Sequence, residues 1–143
     1  MREYRLRLPY PPKAQFMRLH ADAMVATVAR IDNKTLDFSV ESLSWVDATL
    51  FGFHEEGEQA DDLAETLFGF GAYIGEVFVQ NNPGAKWVNA PESGPFAGAW
   101  PLVAMGPDEL VNPIGKAFKR VEYGVGEDLG YFYDAFTKGR TAT

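Results

Sequence analysis

Residues 65–79 read ETLFGFGAYIGEVFV, and the fold turns on whether this run is a phosphate-cradling loop or a buried helix. The dinucleotide fingerprint needs G-x-G-x-x-G after a strand and at the opening of a helix. Here Gly69, Gly71 and Gly75 are spaced one residue too long, and the preceding ADDLAETLF has helical periodicity. Leu63, Leu67, Phe70, Ile74 and Val77 make one stripe, while Phe68, Ala72 and Val79 fill other sides. A helix apolar nearly all round lies in the middle of a domain. We therefore expect a central buried helix over about 61–81. Glycine in a helix costs roughly 1 kcal/mol relative to alanine, so Gly71 and Gly75, one turn apart, predict close packing by a neighbouring element.

Outward from that helix, the pattern predicts an α+β fold in a single domain of residues 1–143, its helical layer packed on a small antiparallel β-sheet. Residues 3–8 alternate as a half-buried strand does, ended by Pro9, Pro11 and Pro12. Met17, Ala21, Met24, Val28 and Ile31 mark a helix over 14–32. TLDF, residues 35–38, reads as a short extended piece. Ser39 is the expected N-cap of a helix over about 40–54, with Leu43, Val46, Leu50 and Phe53 inside. KWVNA reads as a strand, and PLVAM and ELVN around GPD as a hairpin. Asn112-Pro113 is a cap followed by a proline suited to the first helical position, so a helix should cover about 113–123. Residues 127–137 form a last expected helix.

Composition narrows the function classes. The 143 residues are 46% hydrophobic and contain no cysteine, which supports a packed core and excludes disulfides and thiolate chemistry. The amino-terminal MREYRLRLPYPP lacks the apolar segment of a signal peptide. No apolar run reaches the roughly 20 residues of a membrane span. The expectation is a cytoplasmic protein with no membrane contact. The net charge is −7, with ten acids in residues 32–65 against Lys34 alone. Such a surface repels phosphate backbones, so no nucleic-acid partner is expected; it suits a basic protein partner or a plain solvated face.

The chemical motifs are sparse. VNPIGKAFKR is not a P-loop, because Leu110 stands where its first glycine would and Ala117 where its Ser or Thr would. Its Asn112, Gly115 and Lys116 can still favour an anion at a helix start. HEEGE has Glu58 where a zincin has its second histidine, so no metal is expected. No G-x-S-x-G is present, and no cofactor is implied. Glu76 is the sole charge in the fourteen residues 66–79. A buried carboxylate must be paired or neutral, and the expected partners are Lys116 and the free amides at Asn112-Pro113.

The phrases LDFSVESLSWVD, LAETLFGFGAYIGEVFV, GAKWV and NPIGKAFKRVEYG together resemble a family of uncharacterised small bacterial proteins, a domain of unknown function. The resemblance covers about residues 36–133. Its G-x-Y-x-G-E-V pattern falls on Gly71, Tyr73, Gly75, Glu76 and Val77, and its N-P-x-G-K pattern on Asn112, Pro113, Gly115 and Lys116. It implies no activity. Two classes follow from the residues: a non-enzymatic interaction protein, such as an acidic partner or a toxin-neutralising protein, and a small-molecule-binding protein or hydrolase with a cleft around Tyr73, Glu76 and Lys116. A pocket lined by those three residues favours the second, and a flat acidic or aromatic patch the first. Neither class fixes an oligomeric state.

Overall fold

A computed structural model describes residues 6–139. Five helices and three strands follow one another as α1 (Met17–Asp32), α2 (Leu43–Glu55), α3 (Ala64–Asn81), β1 (Lys86–Val88), β2 (Leu102–Gly106), β3 (Glu109–Val111), α4 (Pro113–Tyr123) and α5 (Leu129–Thr137). The fold is α+β. The sheet is antiparallel in the order β1-β2-β3, with Trp87 opposite Val103 and Val103 opposite Val111.

α3 is the centre. Every residue from Phe70 to Phe78 is buried, and α1 and α4 pack along it while the sheet rests on α3 and α4. Phe68, Phe78, Leu67 and Ile74 are fully enclosed; each such side chain contributes about 1.5–3 kcal/mol relative to exposure. The glycines explain how α4 comes so close. A Cβ at Gly71 would lie 2.5 Å from the Ile114 Cα, and one at Gly75 would meet the Trp87 ring and, at 3.0 Å, Pro113 Cγ. The two glycines form a notch that seats the first turn of α4.

α4 begins as expected: Asn112 Oδ1 accepts from the Gly115 amide at 3.0 Å, with Pro113 in the first helical position. Other boundaries differ. Residues 6–8 form no strand, and residues 3–5 of that expected strand lie outside the described residues. Residues 35–38 are loop. Ser39 caps a lead-in turn rather than α2 itself, its Oγ accepting from the Ser42 amide at 3.1 Å, and the α-helix starts only at Leu43. Residues 60–63 wind as a tighter 3₁₀ turn before α3. Ile31 is 66% exposed, because the last turn of α1 runs past the core. Among the described residues no helix is long and apolar enough to cross a membrane.

Candidate functional site

Glu76 lies on α3 and faces α1 and β1. Its Oε2 accepts from Trp87 Nε1 at 3.0 Å; its Oε1 lies 3.3 Å from Gln80 Nε2 and 3.5 Å from the Arg18 guanidinium. Arg18 also pairs with Asp22 at 3.0 Å and lies over the Phe38 ring, 5.1 Å from its centroid. The carboxylate is thus almost enclosed yet fully partnered. The expected pairing with Lys116 and the α4 amides does not form: Lys116 Nζ pairs with Glu127 at 2.8 Å instead. Helix geometry gives the reason. Gly71 and Gly75 occupy the α4 side, and Glu76 is turned about 100° from Gly75.

Tyr73 is fully buried. Its phenol oxygen accepts from the Phe38 amide at 2.8 Å and lies 2.6 Å from Ser42 Oγ, and its ring stacks on Phe38 at 4.9 Å. Burial pushes the phenol pKa up, opposed by these hydrogen bonds. Phe38 has a left-handed backbone, φ 63°, which costs a side chain of this size about 1–2 kcal/mol. Tyr73 and Asn81, whose Nδ2 donates to the Phe38 carbonyl at 2.9 Å, hold it there. Tyr73 is therefore a strut under the loop that precedes α2.

Of the sequence-predicted site residues, the structure brings Asn112, Gly115 and Lys116 together and leaves Tyr73 and Glu76 elsewhere. The three line a groove of about 230 Å³ at the start of α4, together with Lys119, Glu127 and the side chains of Phe96, Phe132 and Phe136.

A second groove lies at the other end of α4, beside the HEEGE segment whose sequence offered no metal motif. His54, Glu58, Gln59, Asp61, Val121 and Glu122 line a space of about 200 Å³. His54 fixes it: Nδ1 lies 2.8 Å from the Val121 carbonyl, an acceptor only, so this nitrogen carries the proton. The ring fits against Gly124, whose φ of 69° and lack of a Cβ allow the approach. Behind it, Arg120 pairs with Asp47 at 2.9 Å and lies over Phe51, tying α4 to α2. Glu58 and Asp61 therefore line the same groove as Glu122. Among the described residues no three His, Asp or Glu side chains are grouped to hold a metal ion.

No protein-family model matches this chain, and neither a curated protein nor a solved structure is similar enough to count as a match.

Proposed function

We propose that this protein is a non-enzymatic interaction module whose acidic groove, between the end of α2 and the end of α4, receives a basic side chain from a protein partner. The observation that carries the reading is the concave arrangement of Glu58, Asp61 and Glu122 around the fixed His54 ring. Neither Glu58 nor Glu122 has an ion-pair partner among the described residues. Tyr123 and Val125, which follow Glu122 in the chain, are 62% and 83% exposed. Apolar side chains exposed this close in the chain to Glu122 suit the alkyl stem of a lysine or the face of an arginine. The net charge of −7 would speed encounter with a basic surface and weaken as salt rises. The better-buried ionic groups support a structural role instead: Glu76, Arg120 and Lys116 each serve a partner within the fold.

The test is a nuclear magnetic resonance titration of the full chain with a peptide of alternating arginine and glycine. The expected result is saturable, salt-sensitive binding with shifts at residues 54–61 and 121–125. Glu58→Gln combined with Glu122→Gln should weaken it about tenfold, which corresponds to roughly 1.4 kcal/mol. Shifts spread evenly over remote acids such as Asp32 and Glu41, or unchanged affinity in the double variant, would overturn the reading.

A further inference from the structure

We propose that the groove at the start of α4 is a separate binding site for a small organic monoanion, a carboxylate carrying a flat or branched apolar body. Three observations converge on that class of ligand.

The first is the wall. Phe96, Leu110, Phe132 and Phe136 line the groove and are only partly buried. Phe132 and Phe136 back onto the core and meet edge-to-face at 5.4 Å. Phe96 and Leu110 lie outside the core cluster. Their exposed apolar surface is not used by the fold, and covering it with a ligand is favourable in proportion to its area.

The second is the cation. Lys116 is committed to Glu127 at 2.8 Å and lies over the Phe132 ring, 5.3 Å from its centroid. Lys119, in the next turn of α4, lines the same groove and is exposed. It has no ion-pair partner among the described residues. Two lysines against one glutamate leave the groove with one surplus positive charge, in a chain whose net charge is −7. One surplus ammonium balances the single charge of a carboxylate and leaves a phosphate ester, with a charge of about −1.5 to −2, incompletely compensated. The helix terminus does not supply this charge: Pro113 has no N–H, and Asn112 already takes the Gly115 amide.

The third is size. The space of about 230 Å³ lies below the roughly 300–1,000 Å³ of drug-sized pockets. It fits an aryl or branched aliphatic acid rather than a nucleotide. Carboxylate recognition by Lys119 at the rim and apolar contact below it would divide the molecule between head and body.

The probe is 3-phenylpropionate, titrated into the full chain and followed by residue-resolved chemical shifts. Saturable binding is expected with a Kd of about 0.1–1 mM and shifts at residues 96, 110, 115–119 and 132–136. Lys119→Gln, an exposed substitution, should weaken it about tenfold, as should replacing the acid by the neutral 3-phenylpropan-1-ol. Phe96→Ser, outside the core, should weaken it several-fold and leave acetate unaffected. The proposal is overturned if the alcohol binds as well as the acid, if acetate binds as well as the aryl acid, if Lys119→Gln leaves affinity unchanged, or if no saturable binding occurs.

Discussion

The Trp87 indole donates to the Glu76 carboxylate at 3.0 Å while its ring covers the place where a Cβ of Gly75 would stand. One side chain thus both satisfies the enclosed charge of α3 and fills the space that the adjacent glycine leaves open. Glu76→Ala removes the acceptor from a partly buried indole N–H. We expect a loss of about 1–3 kcal/mol, the cost of an unmet polar group, because Arg18, with its side chain 55% exposed, regains water. Glu76→Gln keeps an acceptor and should cost less. In urea denaturation, Glu76→Ala and Lys116→Ala should be additive. A coupling above about 0.5 kcal/mol would contradict the pairing of Lys116 with Glu127.

Two glycine-to-alanine substitutions should have opposite signs. At Gly71 the new methyl meets the backbone of Ile114, so α4 must shift, at a cost of about 1–3 kcal/mol. At Gly52 in α2 nothing lies within 4 Å of the new atom, and the gain in helix propensity should stabilise by about 0.5–1 kcal/mol. Thermal denaturation of the two variants tests this, and equal signs would refute the notch.

Asp47 holds two elements at once. One oxygen pairs with Arg120 at 2.9 Å, and the other accepts from the Leu129 amide at 2.8 Å, in place of a side-chain cap on α5. Asp47→Ala leaves the Arg120 guanidinium without its carboxylate partner, and we expect a loss of about 3–5 kcal/mol. Hydrogen exchange should show the first turn of α5 opening before α3 does. Protection at residues 129–132 equal to that of the unsubstituted protein would count against the pin.

Tyr73 gives the stability an alkaline edge. Its phenol titrates at about 10 in an unfolded chain, and burial raises that value in the fold. Above about pH 10 the native state therefore holds a proton that the unfolded state has lost, and stability falls as pH rises through the folded value. Below that pH the contribution is fully present. Tyr73→Phe should cost about 1–2 kcal/mol at neutral pH, through the lost bonds to Phe38 and Ser42, and make the decline above pH 10 shallower. An identical alkaline slope in both proteins would refute the assignment.

What the sequence reveals of this fold depends on the distance over which each feature is encoded. α4 is legible because Asn112, Pro113 and Gly124 punctuate it locally. The notch is legible because glycines inside an apolar helix need a close neighbour, although the identity of that neighbour is not. Glu76 announces itself as a buried charge, but its partners Trp87 and Arg18 are 11 and 58 residues away, and the most tempting local anion binder, NPIGK, lies on another face of the helix. The acidic groove is hidden for the same reason: Glu122 joins the loop after α2 only through packing of α2 on α4. Within the alternating segment, residues 6–8 form no strand: Leu6 and Leu8 pack against the core, but among the described residues no strand pairs with them.

The notch at Gly71 and Gly75 also sets where this chain can change length. One residue inserted between them would rotate the second glycine by about 100° and put a side chain under Pro113. A single deletion would do the same in the other sense. Between Gly71 and Gly75 α3 is therefore barred from any change of length, because even a whole turn, which roughly restores the angle, carries one glycine about 5–6 Å along the axis from its neighbour. The loop from Asn89 to Pro101 carries no such phase. Length variation among descendants of this sequence should accumulate there, next to the wall formed by Phe96, and so alter the groove at the start of α4 while the helix beneath keeps its register.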